Sequence, residues 1–234
     1  MKKQDLLKLI KRRKSSRGLF DGNRSVKPAV LQEILEAATW APTAHNMQNF
    51  KIVAIDNKSV LKKLSELKYA ISPTFLKENY PQLSFTEAEL KKRKTGILAK
   101  RFPPSWLTTE AQKGKLKQIP SKLGRQVSDE SVLLLILYDP KRRAPDSKND
   151  FLGVMSLGFM LENIWLMSTL HGVSIHIMSL FGNEPVKSEV KKMLNIPPSL
   201  DIALGCRLGY SSDDERMLRV RRDIKDFVSF NKYE

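Results

Sequence analysis

The chain is poor in cysteine and histidine, and both shortages exclude classes of site. Its 234 residues contain one cysteine, Cys206, which cannot form a disulfide within the chain. Cys206 lies in an apolar run, so we expect a buried, unreactive thiol. The three histidines, His45, His171 and His176, show no metal-ligand spacing with one another, with the cysteine or with an acid. A structural zinc or a zinc hydrolase site is therefore not expected.

Common nucleotide-binding and hydrolase signatures are missing as well. The sequence contains no G-x-x-x-x-G-K-[ST], G-x-G-x-x-G or G-x-S-x-G pattern. The glycine pair in Gly205-Cys206-Arg207-Leu208-Gly209 lacks the first spacing of the dinucleotide fingerprint and lies late in the chain. These absences disfavour nucleotide binding by the common loop folds.

The first residues lack a secretory core. Met1-Lys2-Lys3 is similar to the charged start of a signal peptide, but Lys8 interrupts the short apolar run that follows. We therefore expect a cytoplasmic protein. Residues 151–170 are nearly all apolar and long enough to span a bilayer. Glu162-Asn163 near the centre of this stretch would be costly in lipid, so a helix buried in a core or subunit interface is favoured over a membrane span.

Acidic residues are scarce in the middle of the chain. The whole sequence has 41 Lys and Arg against 25 Asp and Glu, for a net charge of +16, and Glu110 is the only acid between Lys91 and Arg125. We call Lys91–Arg125 the basic segment. A solvated insertion, an electrostatic funnel for anionic ligands and a nucleic-acid surface all fit such charge. Nucleic-acid binding is the least favoured of these hypotheses, because few aromatic residues lie between the basic ones and no binding motif occurs.

Hydrophobic spacing predicts an α+β domain around one sheet. The stretch 131–138 is apolar on both faces, so we expect a central strand. Pro28 suits the first turn of a helix, with Ser25 as a nearby N-cap. Residues 70–127, with five prolines, suit a lid or excursion from a single domain of residues 1–234. The predicted helices cover 3–12, 28–40, 60–67, 86–100, 109–118, 151–171 and 185–194, and the predicted strands cover 50–55, 131–138, 173–178 and 202–210.

Two polar pieces in the first third of the chain indicate a ligand site. The first, with Arg13, Lys14, Ser15 and Arg17, can donate charge-assisted hydrogen bonds to phosphate or hydroxyl oxygens. It would equally suit a basic helix end. The second piece is the loop 41–50, in which Asn46 and Gln48 offer paired donors and acceptors for a heterocycle edge or hydroxyls, or alternatively cap a turn. Together they fit a phosphorylated, planar, hydrogen-bonding ligand.

These pieces, with several later ones, resemble the FMN-dependent nitroreductase family across nearly the whole chain. The family's Arg-Arg-Ser-x-Arg-like segment reads Arg13-Lys14-Ser15-Ser16-Arg17 here. Its Ala-Pro-Ser-x-x-Asn-x-Gln-Pro-like loop, the most specific signal, reads Ala41 to Asn49. Further matching pieces follow in the family's order: Glu162-Asn163, Leu170-His171-Gly172-Val173, Ile177 to Gly182, Leu194-Asn195-Ile196-Pro197, Gly209-Tyr210 and Arg219-Val220-Arg221.

The resemblance implies an α+β, nitroreductase-like fold, with a central, mostly antiparallel sheet flanked by helices. It also implies an intertwined homodimer with two FMN sites at the subunit interface. The implied reaction is hydride transfer from NADH or NADPH to FMN and then to a small organic acceptor, such as a nitroaromatic or a quinone. The cofactor supplies that chemistry, so no catalytic side chain and no metal are expected.

The same resemblance assigns roles to individual residues. Arg13, Lys14, Arg219 and Arg221 are expected at the FMN phosphate. Ser15, Arg17, Asn46 and Gln48 are expected at the phosphate, the ribityl chain or the edge of the flavin. Pro42, Thr43 and Ala44 would pack on the flavin of the other subunit. The stretch Ile177, Met178, Ser179 and Leu180 would face the flavin, with a backbone N–H near the reactive ring nitrogen.

Two departures from the family pattern bear on the chemistry. Asn49 stands where a proline usually follows the glutamine, and Ser179 stands where many members carry Glu or Gly. A relative with different flavin chemistry therefore remains an alternative: a dehalogenase, a flavin-cleaving enzyme or an azoline oxidase. The basic segment has no counterpart in the family pattern, and attraction of NADPH is one hypothesis for its charge.

Overall fold

The structure is a computed structural model that describes residues 3–71, 74–75, 86–94, 119–124, 127, 131–211 and 220–233. The chain divides into two compact units. The first comprises Met1–Tyr69 and Lys122–Asp214, and the second comprises Ala70–Ser121 and Glu215–Glu234. The lid-like role expected of residues 70–127 stays a prediction.

The first unit is built on a four-stranded antiparallel sheet. Its strands are β1 (Lys51–Ile55), β4 (Val132–Tyr138), β5 (Ser174–Met178) and β6 (Asp201–Gly209), in the spatial order β1-β4-β6-β5. β4 lies between β1 and β6, as its apolar sequence predicted. β5 pairs with β6 in register His176 to Arg207 and forms an edge of this sheet. The expected α+β architecture with an antiparallel sheet is therefore confirmed.

Helices pack on both faces of the sheet. The first unit contains α1 (Lys3–Arg12), α2 (Pro28–Thr39), α3 (Lys58–Ser65), α5 (Phe151–Leu170) and α6 (Val186–Met193). One core cluster joins α2 and α5 to the inner residues of β4 and β6, including Ile34, Met160 and Cys206. The other cluster joins α3 and α6 to the opposite face, including Leu64 and Val190. Because successive strand residues point to opposite faces, the two clusters divide each strand between them.

The helix α5 is only partly covered. Ser156, Leu157, Met160, Leu161, Ile164 and Ser168 are buried. On the rest of its surface Phe151 and Val154 are exposed to 66 % and 61 %. It is the one helix in the described part of the chain with the length and composition of a membrane span. Packing against α2 and the sheet accounts for its buried stripe, and the exposed apolar residues are left without cover from the described chain.

The second unit includes α4 (Glu87–Arg93) and the turn Ile224–Asp226. Thr86 and Glu89 cap the start of α4 reciprocally, and Lys94 ends it in a left-handed conformation with φ 53°. The strands β2 (Lys68–Ile71) and β3 (Ile119–Lys122) form a separate two-stranded sheet where the chain passes between units.

Three details of the sequence-based prediction are corrected. The residue before α2 is Lys27, which makes no side-chain cap, so Ser25 is not the N-cap. The helix predicted over 86–100 ends at Lys94, because that residue adopts a left-handed conformation that stops helical propagation. The strands β2 and β3 were not foreseen, since proline and charge dominate their surroundings. The helix expected over 109–118 lies outside the described residues.

Candidate functional site

The first polar piece is an extended stretch laid along the edge of the sheet. We call residues 13–21 the front segment. Ser15 forms a parallel bridge with Ile175 of β5, and the Ser16 amide donates to the Ile175 carbonyl at 2.8 Å. At the other end the Asp21 amide donates to the Tyr210 carbonyl at 2.7 Å. These bonds fix the path of the front segment past β5 and the end of β6.

Arg13 and Lys14 are held by α5. The Arg13 guanidinium lies 4.4 Å from the centre of the Trp165 ring, and its Nε is 3.2 Å from Glu162 Oε1. That ion pair is not aligned as a hydrogen bond. Trp165 Nε1 donates to the Lys14 carbonyl at 3.2 Å. Much of the Arg13 charge is thus already neutralised, whereas Lys14 is fixed through its backbone.

Ser15 and Arg17 follow at alternate positions, with Ser16 between them. Ser15 and Arg17 are half-buried, whereas Ser16 is 2 % exposed. The Ser16 hydroxyl is buried without a hydrogen-bond partner among the described residues. A buried hydroxyl usually has a protein, water or ligand partner, so this atom is a candidate contact for a bound polar group.

A buried arginine supports the front segment from the sheet. Arg207 of β6 has no exposed surface. Its Nη2 donates to the Gly18 carbonyl, its Nε donates to His176 Nδ1 at 3.3 Å, and its guanidinium lies 4.1 Å from the centre of the Phe20 ring. Burial, together with the charges of Arg207 and Arg17, lowers the pKa of His176 to about 3. His176 is therefore neutral at physiological pH and accepts the arginine's hydrogen bond.

The loop 41–50 has an unusual backbone. His45, Asn46 and Gln48 have φ of 49°, 51° and 47°, the left-handed region that non-glycine residues rarely enter. Gln48 Nε2 donates to Asn46 Oδ1 at 3.0 Å, so the two amides form a pair. The backbone N–H of Gln48 also donates to the Thr43 hydroxyl at 3.1 Å. Strained conformations of this kind cluster at ligand sites, where the surrounding structure enforces them.

Asn49 anchors this loop to the turn after β4. Its Nδ2 donates to the carbonyls of Asp139 at 2.9 Å and Arg142 at 2.6 Å. Its Oδ1 accepts from the Asp139 amide at 3.1 Å. The residue that departs from the family pattern thus replaces a rigid proline by three hydrogen bonds to another part of the chain.

The front segment and the loop 41–50 both contact α5, at different positions along the helix. The Ala44 amide donates to Ser156 Oγ at 3.1 Å, whereas Arg13 and Lys14 contact Glu162 and Trp165. At 1.5 Å of rise per residue, these attachment points are about 9 to 14 Å apart along the helix axis. The structure therefore brings the two pieces to one helix but not to one point on it.

The side chains of residues 177–180, at the end of β5 and in the turn that follows, divide between the two faces of the sheet. Ile177 packs against the cluster that contains α5, while Met178 is buried in the other cluster with Phe181. Leu180 packs on that second cluster too, and Ser179 is exposed. The side chains of Met178 and Leu180 thus point away from α5. On the side of the sheet that faces α5, these two residues can contact a ligand only through their backbone atoms.

Of the C-terminal arginine pair, Arg219 and Arg221, the structure describes Arg221. Arg219 lies outside the described residues. Arg221 is in the second unit, is exposed, and donates to the Val220 carbonyl at 2.7 Å. Of the basic segment, residues 91–94 and 119–124 are described, and Lys122 is the basic residue in the second of these ranges. Lys94 forms ion pairs with Asp223 and, at 2.7 Å, with Asp226, and Lys91 pairs with Glu87 at 3.1 Å.

Sequence reasoning missed two residues that shape the front segment, Arg207 and Trp165. The signal for Arg207 was available: it is one charged residue within an apolar strand, flanked by two glycines. A Cβ on Gly209 would lie 2.3 Å from the Phe20 ring, so this glycine makes room for the ring that the arginine stacks on. The expected burial of Cys206 is confirmed; it has no exposed surface, and burial raises its pKa to about 12.

Comparison of the chain with known families shows the family to which it belongs. A model of the Nitroreductase family matches residues 10–210. The chain belongs to the Nitroreductase family. The matched range includes the front segment, the loop 41–50, α5 and all four strands of the main sheet. No curated protein sequence matches the chain.

Solved structures support the same fold. A nitroreductase with bound FMN from Desulfitobacterium hafniense superposes with a TM-score of 0.59 at 18% identity, over 97% of this chain and 98% of that one. A Bacteroides thetaiotaomicron protein described as an NADH dehydrogenase/NAD(P)H nitroreductase gives 0.60 at 15% identity, over 98% of each chain. Iodotyrosine deiodinase bound to FMN and 3-iodo-L-tyrosine gives 0.57 at 17% identity, over 97% of this chain and 100% of that one. The expected nitroreductase-like fold is thus confirmed.

Proposed function

We propose that this protein is an FMN-dependent oxidoreductase that takes hydride from NADH or NADPH and reduces a small organic acceptor. Membership of the Nitroreductase family over residues 10–210 is the observation that carries this proposal. The FMN bound to the Desulfitobacterium hafniense nitroreductase and the name of the Bacteroides thetaiotaomicron protein support the cofactor and the reductant. When bound, FMN supplies the hydride chemistry, so the protein has to bind, orient and shield it.

The front segment fits the phosphate end of such a cofactor. Lys14, Ser15 and Arg17 place two cations and a hydroxyl along one extended, half-buried stretch. Phosphate oxygens accept hydrogen bonds best from groups of this kind. The buried, unsatisfied Ser16 hydroxyl lies in the same stretch. Arg13 contributes less charge, because Glu162 pairs with it, and we assign it mainly to fixing the segment on α5.

The loop 41–50 fits a planar ring with polar edges. Two hydrogen bonds hold the shape of the loop. The Thr43 hydroxyl accepts from the backbone N–H of Gln48, and the backbone N–H of Ala44 donates to Ser156 Oγ. Gln48 and Asn46 pair with each other through Nε2 and Oδ1, which leaves the Asn46 Nδ2 group and the Gln48 Oε1 atom without partners among the described residues. These atoms offer a donor and an acceptor to a heterocycle edge. Pro42 is exposed and would pack on the ring.

The two polar pieces serve different cofactor molecules in this proposal. Their attachment points on α5 are about 9 to 14 Å apart along the helix axis, as measured by helical rise. A homodimer would place the loop of one subunit over the FMN gripped by the front segment of its partner. The exposed apolar residues of α5, such as Phe151 and Val154, would be covered in the same interface.

A dehalogenase is the second candidate function. The structural likeness to iodotyrosine deiodinase supports it, because proteins with the same fold can catalyse different reactions. Ser179, which departs from the family pattern, is exposed at the start of the turn Ser179–Gly182 after β5.

Steady-state assays distinguish these functions. Purified protein supplied with FMN is incubated with NADH or NADPH and, separately, with a nitroaromatic, a quinone or 3-iodotyrosine, and the products are identified. Nicotinamide oxidation that depends on added nitroaromatic or quinone supports the first function. Release of iodide with a supplied reductant, in the absence of nitro or quinone reduction, supports the second. Failure with every acceptor in the presence of bound FMN contradicts both.

A further inference from the structure

Arg207 is the only arginine among the fully buried large side chains of the described residues. A guanidinium buried inside a protein is costly unless its N–H groups are satisfied. Among the described residues, Arg207 contacts the Gly18 carbonyl, His176 Nδ1 at 3.3 Å and the Phe20 ring at 4.1 Å. Gly18 and Phe20 belong to the front segment.

The contacts of Arg207 fall in the middle of the front segment. Backbone hydrogen bonds hold it at Ser16 and at Asp21. Isolated bridges at Ser15 and Phe20, rather than a regular strand, connect it to the sheet. Gly18 and Phe20, the residues that Arg207 touches, occupy the interval between Arg17 and Asp21. The interval follows directly on Arg17, so its conformation sets the direction in which the Arg17 side chain leaves the backbone.

Support reaches the front segment from both faces of the sheet. Trp165 of α5 binds the Lys14 carbonyl. Arg207 lies on the opposite face of β6 from Cys206 and Leu208, which pack in the α5 cluster. The segment is therefore clamped between a helix and a buried cation.

His176 keeps this cation in place. It is opposite Arg207 in the β5–β6 register and accepts from its Nε. That bond assigns the imidazole proton to Nε2 and requires a neutral ring. Burial and the two neighbouring guanidinium groups keep the ring neutral. A charged imidazole here would repel Arg207 instead of accepting from it.

We propose that Arg207 is a positioning residue that orders the front segment for cofactor binding through the Gly18 carbonyl and the Phe20 ring. This inference rests on the proposed function, because the ligand of the front segment is taken to be FMN. Arg207 itself does not touch the ligand. It acts through the conformation of residues 15–21, which carry Ser15 and Arg17.

The experiment compares two arginine variants with a neighbouring control. Arg207→Lys keeps the charge but cannot donate to Gly18, donate to His176 and stack on Phe20 at once, and Arg207→Gln removes the charge. Cys206→Ala is the control, because this equally buried neighbour points to the other face. FMN affinity is measured by flavin fluorescence quenching well below each variant's melting temperature. Hydrogen exchange is followed in the peptide that contains Ser16 and Asp21.

We expect both arginine variants to weaken FMN binding about tenfold or more and to speed exchange of the 15–21 peptide by a similar factor. Cys206→Ala should stay within about twofold of the wild type in both measurements, even if it melts at a lower temperature. A purely structural role would lower the melting temperature of all three variants without this local pattern. If the arginine variants do not fold, Phe20→Leu replaces them, since it removes the stacked ring and leaves the cation.

Two other results would separate the positioning role of Arg207 from FMN binding. A folded Arg207→Lys, or Phe20→Leu in its place, with wild-type affinity and wild-type exchange overturns the positioning role and leaves FMN binding intact. A wild type that does not bind FMN in the same titration overturns the proposed function. In that case the exchange rates still decide whether Arg207 orders the front segment.

Discussion

At the scale of single residues, the cations of the front segment have different environments. Arg13 is paired with Glu162 and stacked on Trp165. Arg17 lies close enough to His176 to lower the pKa of that imidazole. The family resemblance assigns both residues to one ligand. The contacts of Arg13 show that it fixes the front segment on α5, and the role of Arg17 at the ligand stays a proposal.

Removing the Arg17 charge is expected to weaken FMN binding selectively. A charge-assisted hydrogen bond contributes about 1.5 to 3 kcal/mol, so Arg17→Ala should raise the Kd for FMN about tenfold or more. Arg13→Ala should have a smaller effect on affinity and a larger one on stability, because Trp165 and Glu162 lose a partner. Titration of FMN into each variant measures the first quantity, and thermal melting measures the second. Lys8→Ala, on an exposed position of α1, controls for net charge.

A stability loss in mild acid is predicted from His176. Its pKa is about 3 in the folded state and near 6.5 when unfolded, so between these values the unfolded chain binds the extra proton. Stability is therefore fully present above pH 6.5 and falls as the pH drops towards 3. The expected loss is about 2 kcal/mol between pH 7.5 and pH 5.

Denaturant unfolding of the wild type and His176→Gln at both pH values measures this loss. The glutamine variant should lose less stability than the wild type on acidification, since it has no imidazole to protonate. His45→Gln, at an exposed position, should behave like the wild type. Equal pH dependence in the wild type and His176→Gln would contradict the assignment.

At the scale of elements, the loop 41–50 depends on Asn49 for its position. The side chain spans from the loop to Asp139 and Arg142 with three hydrogen bonds. The strained backbone at Asn46 and Gln48 has to be held by such contacts, because left-handed conformations are unfavourable for these residues in isolation.

Loss of the Asn49 anchor is expected to affect both stability and ligand binding. Asn49→Ala should destabilise the fold by about 2 kcal/mol, because it leaves the Asp139 amide and two carbonyls without this partner. It should also weaken FMN binding, since the loop would relax. Asn57→Ala is the matched control: it removes the N-cap of α3, at a cost of about 1 kcal/mol, at the opposite end of β1 from the loop. Unchanged FMN affinity in Asn49→Ala would show that the anchor does not shape the site.

Most elements of the first unit could be predicted from the sequence, because their hydrophobic patterns are local. The alternation and apolar runs of β1, β4 and β6 and the spacing in α1, α2 and α3 set each element without reference to distant residues. The roles of Asn49 and Arg207 could not be predicted in this way. The charge of Arg207 within an apolar strand marks the residue, but the partners of Asn49 and Arg207 lie far away along the chain and the sequence does not reveal them. The site roles of residues such as Ser15 and Gln48 stay predictions.

At the scale of the whole molecule, the exposed apolar residues of α5 favour a dimer. Phe151, Val154 and Phe159 are exposed to 66 %, 61 % and 43 %. A charge placed at the centre of a subunit interface is strongly unfavourable, so Val154→Asp and Phe159→Asp should convert a dimer to monomers. Analytical ultracentrifugation checks the oligomeric state. Ser199→Asp adds the same charge at an exposed site before β6 and should leave the dimer intact.

A monomeric wild type at micromolar concentration would contradict the proposed dimer. A monomeric Ser199→Asp would show instead that added charge, rather than its place on α5, disrupts the assembly. FMN affinity measured on the same samples links the two properties. If the loop 41–50 covers the partner's cofactor, the monomeric variants should bind FMN more weakly than the wild type.

The proposed function requires that this chain binds FMN, and the visible absorption spectrum of the purified protein measures this property. We expect a yellow protein with flavin absorption bands, from which heat or acid releases stoichiometric FMN identified by mass. A protein purified colourless should gain the same spectrum when titrated with FMN. A colourless protein that takes up no flavin in that titration would show that the chain does not bind FMN.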